Sequence, residues 1–283
     1  MISGSTGILG VIGDPVQHSA SPAMHNAALT ATGLNFVYVA FHVLPKRVPE
    51  VTEAMRALQI RGLNVTVPYK QAVMEHLDEI SPEAATIGAV NTIERTPEGR
   101  LIGHNTDAYG ITASLREDGG LQHLPEQVVL LGAGGAARAI LYALLQAEEV
   151  KDVVLVNRTV ARAEALAGEL DTSGRTRVCS PQDLAIDGAR LLINSTSVGM
   201  SPDAEVSPLA DDSVLHNDLV VVDIVYRPLH TRLLQQAQKA GARTVDGLGM
   251  LAHQGARSFE IWTGTKAPVA IMRETLENIA SSN

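Results

Sequence analysis

Val128-Val129-Leu130-Leu131-Gly132-Ala133-Gly134-Gly135-Ala136-Ala137-Arg138-Ala139 is the stretch whose reading decides the fold. Its four leading apolar residues read as a buried strand, residues 136–147 read as an apolar helix, and a Gly-x-Gly-x-x-Ala turn joins the two. Each small residue has a task there. Gly132 permits the tight turn, Gly134 lets backbone approach a pyrophosphate, and Ala137 keeps the helix close to the strand. The N–H groups at the helix start then face an anion. A second apolar stretch, 152–156, follows that helix and ends in Asn157-Arg158-Thr159. Asn157 stands about 25 positions after Gly132, where an NAD-binding unit carries an acid for the ribose 2′-hydroxyl. No acid is there. Arg158, with Arg162 one helical turn on, instead offers guanidinium groups to a 2′-phosphate, and Thr159 can cap the next helix and donate a hydrogen bond. NADP is therefore expected over NAD, since cations at a helix N-terminus oppose its dipole and ask for an anionic partner.

A chain of 283 residues with 45% hydrophobic and 19% charged residues has a length natural for two globular domains. Its formal net charge is −9 without a basic run, so the expected partner is a small molecule, with no nucleic acid and no membrane. The single Cys179 excludes an internal disulfide framework and a cysteine-based metal site. The histidines contain no H-x-x-x-H pair, so no metal is expected. The amino terminus lacks the basic region of a signal peptide, and no apolar run approaches the roughly 18 residues of a membrane span. The expected location is the cytoplasm.

From the start, 7–12 reads as a buried strand closed by Gly13-Asp14-Pro15. A helix over 23–32 follows, with Pro22 suited to its first turn and Ser21 to its N-cap. Ser19 and Ser21 also have the spacing of a hydroxyl and N–H pocket for a carboxylate. A strand over 36–43 and a helix over 49–58, with Val51, Met55 and Leu58 on one face, repeat the unit. In the next strand, alternation places Leu63, Val65 and Val67 on one face and Asn64 and Thr66 on the other. Pro68 ends the pairing, and Lys70 emerges beyond the strand's carboxyl end, where ligands collect in open α/β sheets. Asn91-Thr92 and, after a hairpin through Pro97-Glu98-Gly99, Asn105-Thr106-Asp107 place amides, hydroxyls and a carboxylate after short apolar segments. Ordinary turn and cap chemistry uses the same residue types. A helix over 108–118 leads to the nucleotide-binding unit. Further strands are expected over 191–194, 220–226 and 243–245, with a helix over 231–240. The closing helices, 248–262 and 268–280, fall outside the βαβ rhythm and are expected to return to the first domain.

With these residues in place, the chain resembles the shikimate dehydrogenase family across nearly its whole length. The matching pieces are Gly13-Asp14-Pro15 with His18-Ser19-Ala20-Ser21-Pro22, Asn64 to Lys70, Gly88 to Thr92, Asn105 to Gly110, and the Gly132 to Ala137 turn. Asn157-Arg158-Thr159, Asn194-Ser195-Thr196 with Gly199-Met200, and Asp246 to Leu251 with Gln254 complete them. The resemblance implies an α/β fold of two domains. An N-terminal α/β substrate domain would comprise 1–110 plus 246–283, with the C-terminal helices returning to it, and a Rossmann-type doubly wound NADP-binding domain would comprise 111–245. The implied reaction is the reversible NADP-dependent reduction of 3-dehydroshikimate to shikimate, a step of aromatic amino-acid biosynthesis.

By the family pattern Lys70 and Asp107 form the catalytic pair, and Ser19 and Ser21 hold the substrate carboxylate. Asn64, Thr66, Asn91, Asp107, Tyr226 and Gln254 would contact the ring and its hydroxyls. Gly132, Ala133, Gly134, Gly135 and Ala136, with Asn157, Arg158, Thr159 and Arg162, would bind the dinucleotide, and Ile224 and Gly247 would lie near the nicotinamide. The chemistry suits these types: hydride addition to a ketone builds negative charge on oxygen, which a positioned ammonium stabilises and protonates. The chain departs from the family at Arg227, where Asn is commoner, and at Thr231-Arg232, where Thr-Pro is frequent. The rival readings are a dual quinate/shikimate dehydrogenase and a non-catalytic metabolite sensor on the same fold. A homodimer is the assembly to test.

Overall fold

The computed structural model describes residues 2–186 and 188–281. The chain divides into two compact units: one runs to Gly110 and resumes at Ala252, and the other is Ile111–Leu251. Residues 1, 282 and 283, at the ends of the expected first domain, lie outside the described residues.

The first unit opens with β1 (Gly7–Gly13), α1 (Ser21–Thr32), β2 (Phe36–His42), α2 (Val48–Ala57) and β3 (Gly62–Val65). β4 (Glu79–Ile80), α3 (Pro82–Ile87), β5 (Thr92–Arg95) and β6 (Leu101–His104) follow, and α4 (Asp107–Glu117) starts at its end. Among the described residues its sheet has the order β2-β1-β3-β5-β6-β4. Helical crossovers make β1 parallel to β2 and β3, whereas the tight turn at Gly99 (φ +88°) makes β5 and β6 an antiparallel hairpin. Leu63, Val65, Met55, Ile93 and Leu101 share one core with Tyr69.

The structure corrects three local expectations. α1 begins at Ser21, with Ala20 as N-cap and no side-chain capping bond, so Ser21 is not the cap. Leu58 is 67% exposed because α2 stops at Ala57; the buried face is Val48, Thr52 and Met55. Val67 is 68% exposed because β3 stops at Val65: the Thr66 N–H still reaches the Ile12 carbonyl, but Pro68 has no N–H to continue, and buried Tyr69 takes the core position.

The second unit contains β7 (Gln127–Leu131), α5 (Gly135–Gln146), β8 (Asp152–Val156), α6 (Val160–Leu170), β9 (Thr176–Cys179) and β10 (Leu191–Asn194). β11 (Val220–Asp223), α7 (Arg232–Lys239) and β12 (Arg243–Val245) complete it. All its pairings are parallel, in the order β12-β11-β10-β7-β8-β9. This is the doubly wound dinucleotide-binding order, which reverses direction between β7 and β10. Alternation divides its apolar strands between two cores: Val128, Leu130, Val153, Leu155 and Ile193 pack on one face, Val129, Leu131, Val154, Val156 and Leu192 on the other. β11 is shorter than the expected 220–226, because the Asp223 carboxylate accepts from the Val225 N–H and turns the chain out of the sheet.

The closing helices are α8 (Leu248–Thr263) and α9 (Val269–Ser281). From Ala252 onward they join the first unit, as expected. α9 packs on α1, a Cβ at Gly255 would lie 2.4 Å from the Met24 side chain, and one at Gly62 would lie 2.2 Å from Trp262. Both glycines therefore mark close helix approach. No described helix is long and apolar enough to cross a membrane.

Candidate active site and dinucleotide site

Lys70 follows β3 in a loop pinned at both sides. Tyr69 is buried and donates its hydroxyl to the Val43 carbonyl, and the Lys70 carbonyl accepts from the Val90 N–H at 2.7 Å. Asp107 opens α4, where a carboxylate suits the helix dipole, and its N–H donates to Asn105 Oδ1 at 3.0 Å. Lys70 Nζ donates to Asp107 Oδ2 at 2.5 Å, with the two side chains 15% and 6% exposed. Asn91 Nδ2 donates to the other oxygen, Oδ1, at 2.7 Å, and lies 3.4 Å from Gln254 Oε1 on α8. Five expected site residues thus share one polar network, because Asn64 joins it as well: its Nδ2 donates to the Asn91 carbonyl at 3.2 Å. The pair offers an ammonium held by a carboxylate, the arrangement a proton donor needs.

Ser19 and Ser21 stand at the start of α1, the Ser21 N–H donating to Ser19 Oγ at 3.3 Å. Ala20, the N-cap between them, makes no side-chain capping bond. Tyr38 on β2, a residue not singled out in the sequence, ties this end to the rest: its hydroxyl donates to Asn64 Oδ1 at 2.7 Å. Burial pushes the Tyr38 phenol well above its ordinary range, against the opposing effect of the Ser21 hydroxyl, so it acts as a donor. His25 stacks on the Tyr38 ring at 4.3 Å. Thr92, Thr106 and Ser258, fully or nearly fully buried, also belong to the network and were missed as site residues. A polar alternation around β5 was the only signal for Thr92; Ser258 carries none, since a serine in a helix has no distinguishing neighbour in sequence. Thr66 packs its methyl where a Cβ at Gly13 would lie 2.5 Å away. Tyr226 belongs to the second unit, beyond the end of β11.

In the second unit the Gly-rich turn joins β7 to α5. Gly132 has φ +109°, and a Cβ there would lie 2.7 Å from Ser195 Oγ and 2.9 Å from the Thr196 methyl. Gly134 is the N-cap of α5 without a side-chain cap, and a Cβ there would meet nothing within 4 Å. The start of α5 therefore carries no side-chain cap and no acidic residue in its first turn. Ala137 is fully buried under β7. Thr159 occupies the N-cap position of α6 but makes no side-chain capping bond, contrary to expectation; Asn157 Nδ2 instead holds the Thr159 carbonyl at 2.8 Å. Arg158 and Arg162 are exposed beside that helix start, whose first turn is free of acids. Uncapped N–H groups, open backbone at Gly134 and two exposed guanidiniums fit a phosphorylated dinucleotide. Gly247 and Ile224 come together: a Cβ at Gly247 would lie 2.3 Å from the Ile224 carbonyl oxygen. Beneath them burial pushes the Asp223 carboxyl up, while hydrogen bonds from Thr231, the Val225 N–H and Asn194 oppose that rise.

Three family models match the chain: the shikimate dehydrogenase substrate binding domain over residues 11–93, shikimate / quinate 5-dehydrogenase over 118–248, and the shikimate 5′-dehydrogenase C-terminal domain over 247–277. The shikimate dehydrogenase (NADP(+)) of Methanocaldococcus jannaschii is 44% identical over 281 residues, covering 98% of each chain. A crystal structure of a shikimate dehydrogenase in complex with NADP+ matches with a TM-score of 0.93 at 42% identity, over 99% of this chain and 98% of that one. Quinate dehydrogenase from Corynebacterium glutamicum, in complex with NAD, matches with a TM-score of 0.88 at 34% identity, over 96% and 99%. The parallel doubly wound unit and these full-length relatives place the chain among the nicotinamide-dependent oxidoreductases. More narrowly, the chain belongs to the shikimate dehydrogenase family, whose members include the NADP-dependent enzymes of aromatic amino-acid biosynthesis.

Proposed function

We propose that this chain reversibly reduces 3-dehydroshikimate to shikimate, with Lys70 as proton donor and Asp107 as the carboxylate that positions it. The observation that carries the reading is the 2.5 Å contact between Lys70 Nζ and Asp107 Oδ2, fixed from the other side by Asn91. NADPH, when bound, supplies a hydride to the ketone carbon. Lys70 supplies the proton to the ketone oxygen and stabilises the charge that builds there. In the oxidation direction its neutral amine takes that proton back from the hydroxyl. Asp107 and Asn91 hold the reacting end of the ring, Asn64, Thr66, Tyr226 and Gln254 orient its other hydroxyls, and Ser19 and Ser21 accept the carboxylate.

Gly132, Ala133, Gly134, Gly135 and Ala136 would cradle the pyrophosphate, and Asn157, Arg158, Thr159 and Arg162 the adenosine 2′-phosphate. Ile224 and Gly247 would border the nicotinamide. Residues up to 110 with those from 246 form the substrate domain in this reading, and 111–245 the NADP domain. A homodimer in the cytoplasm completes it.

Initial rates of shikimate and quinate oxidation, each with NADP and with NAD, test the proposal. A kcat/KM strongly favouring shikimate with NADP supports it. Comparable rates with quinate or NAD would move the chain toward the dual-specificity relatives, and tight binding without turnover would make it a sensor.

A further inference from the structure

Thr92 and Ser258 are both fully buried beside the Lys70–Asp107 pair, and neither is among the groups proposed to touch substrate. Two backbone groups show which way the neighbouring amides face. Asn64 Nδ2 lies 3.2 Å from the Asn91 carbonyl, so a reversed Asn64 would set acceptor against acceptor. The Thr106 N–H lies 2.8 Å from Asn91 Oδ1, so a reversed Asn91 would set donor against donor. Between the two amides stands Thr92 Oγ1, 3.1 Å from Asn64 Nδ2 and 3.0 Å from Asn91 Oδ1. Only a group that both accepts and donates can join that donor to that acceptor, and a hydroxyl does so. Ser258 Oγ backs it, 3.0 Å from Asn64 Nδ2 and 2.8 Å from Thr92 Oγ1. The sheet register brings this about, since Thr92 on β5 is the cross-strand partner of Asn64 on β3.

We propose that Thr92, backed by Ser258, is a positioning residue: its hydroxyl locks the Asn91 amide so that Nδ2 points at Asp107 Oδ1, and so holds the carboxylate in line with Lys70. The relay runs in one direction, from Tyr38 through Asn64, Thr92 and Asn91 to Asp107. This inference rests on the proposed roles of Lys70 and Asp107. A valine at position 92 would keep the packing volume and leave Asn64 Nδ2 and Asn91 Oδ1 each one partner short.

The test is a double-mutant cycle on shikimate oxidation with NADP. Thr92→Val is expected to lower kcat/KM about tenfold, Thr92→Ser to restore most of it, and Thr92→Val to add little when Asn91 is already Ala. A residue that matters only as packing would instead give additive losses and no rescue by serine, which would overturn the proposal. So would full activity of T92V. If T92V does not fold, Ser258→Ala goes through the same cycle with Asn91→Ala: coupled losses support the relay and additive losses overturn it. Should the unaltered protein not oxidise shikimate at all, the proposed function fails. The relay is then judged by the same cycle in urea unfolding, where coupling supports it and additivity overturns it.

Discussion

Lys70 and Asp107 lie 37 positions apart in sequence and meet at 2.5 Å only because β3 and the β6–α4 junction end on the same side of one sheet. Replacing Lys70 with Ala should lower kcat by about 10²–10⁴ while shikimate affinity, read by calorimetry, changes little. Equal losses in both would make Lys70 a binding group alone. Both residues were legible as candidates in the sequence, one from its place after a polar strand face and the other from its amide and hydroxyl neighbours. Tyr38 and Ser258 were not, since their significance is a contact between elements distant in sequence that no local pattern announces. His25 offers a separate test. Burial lowers its pKa to about 3, and neither ring nitrogen has a hydrogen-bond partner among the described residues. The unfolded chain protonates this ring at about pH 6.5, the folded chain only near 3, so unfolding takes up a proton between these values. Stability from this group is complete above about pH 6.5 and is lost progressively as pH falls towards 3. His25→Leu should therefore show a smaller drop in urea midpoint between pH 7 and pH 4.5; an unchanged drop would assign the acid sensitivity elsewhere.

Among the elements, the strands of the second unit were the most legible, because a strand buried on both faces is a run of Val, Ile and Leu that little else imitates. Their ends were less so. β11 was expected through Tyr226 but stops at Asp223, and β3 stops at Val65, in each case because a side chain or a proline redirects the backbone after the apolar run has begun to look continuous. β9 went unrecognised since Thr176–Cys179 is a short edge strand of mixed polarity, and β4 is only Glu79–Ile80. The ends of helices follow the same lesson. The C-terminus of α5 is closed by a residue distant in sequence: Arg175 donates to the carbonyls of Leu145 at 2.5 Å, Val150 at 2.7 Å and Ala147 at 3.3 Å. A cation there also answers the helix dipole. Arg175→Met should cost about 2–3 kcal/mol in urea unfolding, the worth of charged hydrogen bonds lost to carbonyls that stay partly buried. A loss below about 0.5 kcal/mol would show that water replaces the guanidinium without penalty.

For the whole molecule, the sequence motif at Gly132 anticipated a doubly wound sheet, and the strand order with its reversal between β7 and β10 bears this out. Cofactor choice is then a property the entire chain reports. Saturating NADP should raise the melting temperature more than NAD at equal concentration, since a ligand at about 100 times its Kd adds roughly 2.7 kcal/mol to the state that binds it. Arg158→Leu should remove most of that difference; an unchanged difference would sink the 2′-phosphate assignment. The mixed sheet of the first unit was less legible, because its β5–β6 hairpin interrupts the parallel rhythm with strands too short to declare their direction. That unit is also discontinuous, and this sets a schedule for synthesis. α1 ends at Thr32, yet the α9 surface that packs on it starts only at Val269. At about 5–20 residues per second, the part of α1 that packs on α9 waits on the order of ten seconds or more for its partner, long enough for chaperones to engage. The second unit, Ile111–Leu251, has all its strands in hand before α9 is translated. α1 therefore passes the whole synthesis of the second unit against β1 and β2, with its α9 partner still to come.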